Sequence, residues 1–129
     1  MLETYLPLAP VAWKRPGNHK GRRFDAQAKT KDEWNHALVG LFPNIETSKA
    51  KLKVTMHFFI AMPKSWSKAK QREMFHERHS SRPDLSNLVK FLEDAFNGSI
   101  WEDDSQIVEI HCMKQWAEEG SIYLKVEEI

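Results

Sequence analysis

The sequence contains one cysteine, Cys112, among its 129 residues, which excludes an internal disulfide and a thiolate zinc cluster. Its six histidines include no H-E-x-x-H spacing, so the common histidine motif of zinc enzymes is missing. No apolar run approaches the ~20 residues of a membrane-spanning helix, and the first residues lack the basic and apolar regions of a secretory signal. We therefore expect a cytoplasmic protein that does not associate with membranes.

The chain does contain enough apolar material to build one hydrophobic core. Hydrophobic residues make up 41% of the sequence, including five Trp and seven Phe, and charged residues make up 29%. The length of 129 residues falls within the ~100–150 residues of a common single domain. We expect one domain that spans residues 1–129.

The net charge of +1 conceals two portions of opposite sign. Residues 1–82 hold sixteen Lys and Arg against seven Asp and Glu, whereas residues 83–129 hold three against eleven. A basic region can neutralise phosphates, and a carboxylate-rich region can hold hard divalent cations. Charge pairing across the fold explains the same asymmetry equally well, so this feature alone does not select a function.

Apolar residues that alternate along the chain predict several strands. The strands are expected at residues 2–8, 51–60, 107–113 and 122–126. In the third of these, Val108, Ile110 and Cys112 are predicted to face inward. The last two strands are predicted to pair with each other across the turn at residues 118–120.

Three helices are predicted between these strands. One runs from about Lys31 to Phe42, because Thr30 and Glu33 form a capping-box pattern. A polar helix follows through roughly residue 75, and an amphipathic helix occupies residues 84–97, where Gly98 supplies the stop. Together these elements predict an α+β fold with a small mixed or antiparallel sheet and two or three helices.

Acidic and basic residues converge in the second half of the chain. Asp84 begins the amphipathic helix, Lys90 lies on its polar face, and Glu102, Asp103 and Asp104 form the turn after it. Carboxylates from two elements and a phosphate oxygen supply enough ligands for the coordination shell of Mg²⁺. Lys90 would then face the same phosphate. Spacing alone favours the structural alternative, in which Asp84 caps the helix with ~1 kcal/mol of stabilisation and the acidic turn is merely solvated.

The exact residue order shifts that balance. Residues 82–90 read R-P-D-L-S-N-L-V-K, residues 93–98 read E-D-A-F-N-G, and residues 101–108 read W-E-D-D-S-Q-I-V. These strings resemble the RusA family of Holliday junction resolvases, of the phage or prophage type, whose pattern includes P-D-x-D-N-L-x-K and a later W-x-D-D-x-Q-V turn. The resemblance is specific because ordered residues on two elements agree at once.

The resemblance implies a small α+β homodimer that binds four-way DNA junctions and nicks two opposed strands in recombination and repair. It implies Mg²⁺ as the cofactor, with Mn²⁺ as a substitute. By position, it assigns metal binding to Asp84 and Asp104, and catalysis also to Lys90 and to Asp103, the acidic neighbour. Supporting positions that orient these groups are Asn87 and Ser86.

One departure from the family pattern concerns Ser86, which stands where the motif has its second aspartate. A hydroxyl is a poor replacement for an anionic oxygen on Mg²⁺. Glu93 lies seven residues further along, only ~20° away around the helix axis, so we expect it to serve as the missing metal ligand. Pairing of Glu93 with Lys90 is an equally good alternative. A catalytically impaired relative that binds branched DNA without cleaving it is therefore the alternative function.

DNA contact is expected from a basic loop near the start of the chain, with help from the polar helix. Trp13 lies beside this loop, where packing is a more common role for an aromatic residue than insertion at a branch point. His79, five residues before Asp84, is expected to be an ordinary exposed histidine rather than a group that approaches metal or phosphate. The residues predicted to bind DNA are Lys14, Arg15, Lys20, Arg22 and Arg23.

Overall fold

The computed structural model describes all 129 residues and confirms the α+β fold. A four-stranded mixed sheet packs against helices, and a two-stranded hairpin stands apart from it. None of the helices combines the length and apolarity needed to cross a membrane. The elements in chain order are β1 (Leu2–Leu6), β2 (Gly17–His19), β3 (Arg22–Phe24), α1 (Ala28–Leu41), β4 (Leu52–Ala61), α2 (Lys68–Met74), α3 (Leu85–Phe96), β5 (Ile107–Ala117) and β6 (Ser121–Glu128).

The main sheet has the order β1-β6-β4-β5. Strand β4 lies inside it, antiparallel to β6 and parallel to β5. The alternation of apolar and polar residues along β4 explains its central position in the sheet. On one face its apolar residues are fully buried: Leu52, Val54, Met56 and Phe58. That face forms the core together with apolar residues of α1 and α3.

The prediction that the last two strands pair with each other is wrong. Strand β4 separates β5 from β6: Ala61 is the register partner of Ala117 at the end of β5, and Phe59 is the partner of Ser121 at the start of β6. The turn at residues 118–120 therefore crosses the end of β4 instead of closing a hairpin. A long strand that is buried on one face gains more from two neighbours than from an edge position, and this overrides the local hairpin signal.

The prediction that Val108 and Ile110 face inward is also wrong. Strand β5 is the edge of the sheet, and 57% of Val108 and 39% of Ile110 remain exposed. Of the three residues predicted to face inward, only Cys112, which is partly buried, packs against the core. Alternation shows which residues share a face of a strand, but it does not show whether that face is covered.

Helix α1 begins at Ala28, so the capping box predicted at Thr30 and Glu33 is wrong. Gln27 occupies the cap position, and its side chain binds neighbouring chain instead: Oε1 accepts from Lys14 N at 2.9 Å, and Nε2 donates to Ala12 O at 2.8 Å. These long-range bonds draw the helix start towards the preceding loop. The helix ends just before Pro43, as predicted.

Helix α3 confirms the prediction for the amphipathic segment. Asp84 and Asn97 cap it, and Gly98 follows with a φ of +83°, a conformation that side chains other than glycine's rarely adopt. Phe91 packs edge-on against Trp34 of α1 at 4.7 Å between ring centroids. The buried residues of α3 are Leu88, Phe91, Leu92, Ala95 and Phe96.

Candidate functional site

Two carboxyl groups meet where the end of α3 faces the turn before β5. Glu93 lies in the last third of α3, and Asp104 opens a short 3₁₀ turn, Asp104–Gln106. The two side chains lie within hydrogen-bonding reach of each other. Burial, and then the negative charge of Asp104, raise the pKa of Glu93 to about 7. We name Glu93 and Asp104 the carboxylate pair; crowding of this kind is characteristic of sites that bind cations or handle protons.

The turn that carries Asp104 is fixed by Gln106. Its Oε1 accepts from Asp103 N, and its Nε2 donates to the carbonyl oxygens of Ser48 and Ala50, each at 2.9 Å. One side chain thus ties the turn to the segment that leads into β4. Its importance was missed from the sequence, although the D-x-x-Q spacing of residues 103–106 is a recognisable capping-box pattern.

The other side of the carboxylate pair is held by Trp101, which is fully buried. Its Nε1 donates to Asn97 Oδ1 at 2.9 Å, and Glu93 O lies 3.3 Å from the same nitrogen. The indole therefore connects the turn after α3 to the last turn of that helix. Both carboxylates are positioned by backbone that is anchored through buried or bonded side chains.

Lys90 lies one turn before Glu93, and its positive charge opposes the rise in the pKa of Glu93. The ammonium group makes no ion pair within 4.0 Å and instead sits 3.7 Å from the centre of the Trp13 ring. A close Glu93–Lys90 salt bridge, the alternative role for Glu93, is therefore not formed. Trp13 is partly buried against the core, and its backbone N donates to Asn87 O at 2.9 Å. This agrees with the packing role expected for the indole.

Asp84 lies at the opposite end of α3 from the carboxylate pair. Its carboxylate makes no capping hydrogen bond, and it lines an open cleft with Ala12, Arg82, Pro83 and Asn87. Nine residues separate Asp84 from Glu93, which at ~1.5 Å per residue is ~13 Å along the helix axis. Because Mg²⁺ binds oxygen at ~2.0–2.1 Å, these two carboxylates of one chain do not reach a common ion.

The expected shell of Asp84, Asp104 and Glu93 is thus not assembled within the single chain. The structure contains no group of three or more His, Cys, Asp or Glu side chains placed to hold a metal ion. It does bring together Lys90, Glu93 and Asp104, and it places Asp84 and Asn87 together at the other end of the same helix. Two carboxylates still fit Mg²⁺, which commonly uses one or two protein carboxylates, waters and substrate phosphates.

Lys114 fixes the loop that leads to Asp84. Its Nζ donates to the carbonyl oxygens of Ser81 and Pro83, both at 2.6 Å, so strand β5 holds the residue next to Asp84. His79 donates its backbone N to Lys114 O at 3.2 Å and packs on Trp116 at 4.2 Å between ring centroids. The prediction of an exposed His79 is wrong, because this contact leaves only 4% of it accessible. No local sequence signal indicates the Lys114 contact, since its partners lie 31 and 33 residues away.

Two further predicted positions serve local structure or remain exposed. Asp103 is exposed and caps the 3₁₀ turn, where its Oδ2 accepts from Ser105 N at 3.0 Å. Hydrogen bonds from the Ser105 side chain and backbone lower the pKa of Asp103. Ser86 is exposed in the first turn of α3, beside Asp84 and away from the carboxylate pair.

The predicted DNA-binding residues lie on or beside one hairpin. We name residues 14–24, which include β2 and β3, the basic hairpin; Lys20 and Gly21 form its tip with positive φ angles. The ring of Phe24 covers Gly17 so closely that a Cβ at this position would force the ring to move. Gln27 holds the base of the hairpin next to Trp13, and so next to Lys90. The exposed basic residues are Lys14, Arg15, Lys20, Arg22 and Arg23.

Comparison with known proteins adds sequence relationships to this geometry. The family model for endodeoxyribonuclease RusA matches residues 7–127. The chain is 36% identical over 131 residues to the uncharacterized protein YqaN of Bacillus subtilis (strain 168), covering 93% of this chain and 91% of YqaN. It is 34% identical over 79 residues to the crossover junction endodeoxyribonuclease rusA of Lactococcus phage r1t, covering 60% of this chain and 55% of the phage protein.

Proposed function

The chain belongs to the RusA family of endodeoxyribonucleases, and on that premise we propose that it is a Mg²⁺-dependent enzyme that resolves Holliday junctions by paired nicks in opposed strands. The observation that carries the proposal is the carboxylate pair next to Lys90. Two acidic groups that crowd each other beside a lysine match the needs of phosphodiester hydrolysis, which requires a cation site and a stabiliser of negative charge.

We propose that the carboxylate pair holds the cation, with Mn²⁺ able to replace Mg²⁺. When bound, Mg²⁺ would polarise the scissile phosphate and supply an activated water. Glu93 must lose its proton for the pair to bind a cation well, and its pKa of about 7 makes this loss occur near neutrality. Glu93 thereby supplies a carboxylate that the chain lacks at position 86, but at the other end of α3.

Lys90 is proposed to stabilise the charge that develops on the phosphate or on the leaving oxygen. Its ammonium is not neutralised by a close carboxylate, so its positive charge is available to the substrate. The Trp13 ring holds this ammonium at 3.7 Å by a cation–π interaction. The indole therefore holds the ammonium group in position without pairing it with a negative charge.

The remaining family positions are proposed to act from the entry side of the site. Asp84 and Asn87 lie at the end of α3 that contacts Trp13 and the base of the basic hairpin. We propose that they orient the DNA strand on its way to the carboxylate pair, while the hairpin neutralises phosphates. Asp103 contributes through the turn that carries Asp104, so its replacement should cost less activity than that of Asp104.

A labelled four-way junction tests the proposal. The wild-type chain is incubated with the junction in Mg²⁺, in Mn²⁺ and in EDTA, and Glu93→Gln and Asp104→Asn serve as variants of the carboxylate pair. Symmetric nicks that require the metal and are lost in both variants are expected. A junction that is retarded but intact in both metals contradicts the nuclease. That result would favour the alternative, a DNA-binding relative impaired by the loss of the aspartate at position 86.

A further inference from the structure

Two histidines meet on the face of the main sheet opposite the core. His57 lies in β4 and His111 in the neighbouring edge strand β5, and His57 Nε2 is 3.3 Å from His111 Nδ1. The apolar residues that alternate with His57 along β4 are buried on the other face, where they pack with α1 and α3. We name His57 and His111 the histidine pair; the sheet separates it from the carboxylate pair.

The spacing of the two ring nitrogens matches a shared metal ion and is long for a hydrogen bond. N–H···O hydrogen bonds in proteins are most common near ~2.9–3.0 Å. Two imidazole nitrogens that bind one ion at ~2.0 Å with tetrahedral or trigonal angles lie ~3.3–3.5 Å apart. The observed 3.3 Å falls in the second range, so the two nitrogens need little change in separation to bind one ion.

The ring of His57 is held by aromatic neighbours. It packs on Tyr123 at 5.3 Å between ring centroids, and Tyr123 packs on Tyr5 at 5.0 Å. The Tyr123 hydroxyl donates to Glu3 Oε1 at 3.0 Å, which ties this row of rings to β1 at the far edge of the sheet. A ligand whose position is fixed before an ion binds loses less conformational freedom on binding.

Strand register adds a third donor to the histidine pair. Met113 is the register partner of His57 and follows His111 by two residues, so the three residues share one face of two strands that lie ~4.8 Å apart. The flexible thioether of methionine adapts to its surroundings. No third His, Cys, Asp or Glu completes a metal-holding group here. The donors are thus two imidazoles and a thioether, a set without formal charge.

Softness and charge select among metal ions for this set. Imidazole binds zinc, copper and nickel, whereas a thioether favours Cu(I). Burial, the charge of His111 and then that of Arg78 lower the pKa of His57, which places the Arg78 guanidinium near the pair. A fixed positive charge repels a divalent ion about twice as strongly as a monovalent one. Both features favour a soft, monovalent cation over Mg²⁺ and Zn²⁺.

We propose that His57, His111 and Met113 bind one cuprous ion on the outer face of the sheet, where it links β4 to the edge strand β5. The ion binds without a change in its oxidation state, and no reaction is assigned to it. The proposal does not rest on the proposed function, because the carboxylate pair offers hard oxygen ligands on the other side of the sheet.

Competition with bicinchoninate, whose Cu(I) complex is coloured, tests the site. Cu(I) is supplied to the full chain under nitrogen as its acetonitrile complex. The wild type should withdraw one ion per chain from the chelator, and His57→Gln or His111→Gln should weaken this binding by ~100-fold. The matched control is His36→Gln, which changes an exposed histidine of α1 and should bind like the wild type. A wild type that withdraws no copper overturns the proposal, as does equal binding by all four proteins.

Two further variants identify the sulfur ligand. Cys112 is the one thiol of the chain and a good Cu(I) ligand, but it packs against the core on the opposite face. Met113→Leu should weaken Cu(I) binding by ~10-fold and leave Ni²⁺ binding unchanged, whereas Cys112→Ser should bind Cu(I) like the wild type. X-ray absorption at the copper edge should show two nitrogen neighbours and one sulfur. Loss of Cu(I) in Cys112→Ser, or no loss in Met113→Leu, contradicts the proposed ligands.

Glu93→Gln separates this proposal from the proposed function. The variant should lose junction cleavage and still bind Cu(I) as tightly as the wild type. If the wild type binds Cu(I) through the histidine pair but cuts no junction, the copper site stands and the nuclease proposal fails. If it cuts junctions but its copper binding is unaffected by His57→Gln, the nuclease stands and the copper site fails.

Discussion

The carboxylate pair and the basic hairpin differ in how firmly the protein holds them. Around the pair, Gln106 makes three hydrogen bonds and the buried Trp101 ties the turn to α3. The hairpin has two strands of three residues, exposed basic side chains, and a base clamped by Gln27. The carboxylate pair therefore has side chains at fixed positions. The basic hairpin has many positive charges but few contacts that fix where they lie.

This difference matches two physical requirements. Stabilising a transition state depends on groups that are already in place, because small displacements cost large factors in rate. Neutralising DNA phosphates depends mainly on the number of charges and tolerates movement. Substitutions around the carboxylate pair should therefore have large effects on cleavage, whereas those in the hairpin should have small and salt-dependent effects on binding.

The largest effect is expected from the carboxylate pair itself. Glu93→Gln or Asp104→Asn removes an anionic oxygen from the proposed cation site, which is worth several kcal/mol and should lower the cleavage rate by ~10²–10³-fold. Single-turnover cleavage of a four-way junction measures it. The control is Glu102→Gln, because Glu102 is exposed and forms only a 3.7 Å pair with Lys49. Equal losses in all three variants would show that the pair is not special.

The next effect concerns the loop before Asp84. Lys114→Met removes both bonds to Ser81 and Pro83 and should reduce cleavage by ~10–100-fold, as expected for a residue that positions another. Lys114→Arg should recover part of the activity. Junction binding in EDTA should stay unchanged in both, measured by gel retardation.

The matched control for Lys114 is Lys125→Met on β6, whose nearest carboxylate is Glu127 at 3.8 Å. It should cleave like the wild type. Full activity of Lys114→Met would mean that the position of Asp84 does not depend on this contact.

The pKa of Glu93 predicts a moderate dependence on pH. Below about 7 Glu93 keeps its proton, so Mg²⁺ affinity should rise about tenfold per pH unit up to about 7 and then level off. Without metal, the contribution of Glu93 to folding stability should be fully present below its ordinary pKa of 4.5 and should be lost as pH rises through about 7, because the folded state binds this proton more tightly than the unfolded state.

Isothermal titration with Mg²⁺ and thermal unfolding without metal check the two trends. The Glu93→Gln variant has no proton to lose at this position. Its Mg²⁺ affinity and its thermal stability should therefore depend less on pH than those of the wild type. A wild-type chain whose Mg²⁺ affinity is the same at pH 6 and pH 8 would exclude a role for Glu93 in holding the ion.

The smallest effects are expected in the basic hairpin. Arg22→Ala or Arg23→Ala should weaken junction binding a few-fold and lower the slope of log affinity against log salt by about one for each phosphate that the variant no longer neutralises. Cleavage at saturating enzyme should change little. Lys51→Ala, an exposed basic residue outside the hairpin, is the control. A Lys51 variant that matches the hairpin variants would show that binding follows net charge alone.

Local signals in the sequence predicted part of this architecture. The bounds of α3 followed from its apolar spacing and Gly98, and the helical period made Glu93 a candidate site residue. The pairing of β5 and β6 was mispredicted because β4 inserts between them from far away in the sequence. The start of α1 was mispredicted because Gln27 bonds to residues 12 and 14.

The candidate site shows the same limit. The distance along α3 between Asp84 and Glu93 follows from the helical rise, and it is too long for the two carboxylates to share an ion. The family resemblance nevertheless led to the prediction that both bind the same ion. Lys114 gave no signal because a lysine in a strand is ordinary until its two carbonyl partners are known. Periodicity and motifs do not predict contacts between segments that are distant in the sequence. Those contacts determine the strand order, the start of α1 and the position of the loop before Asp84.

The contact of Trp13 with Lys90 connects the residue before the basic hairpin to α3. Trp13 immediately precedes the hairpin. Its backbone N donates to Asn87 O, and its ring contacts the ammonium of Lys90. If the hairpin binds DNA as proposed, the path from the bound phosphates to the ammonium of Lys90 runs through this one indole. The site that would receive the strand and the loop that would hold the DNA arm thus share a single side chain.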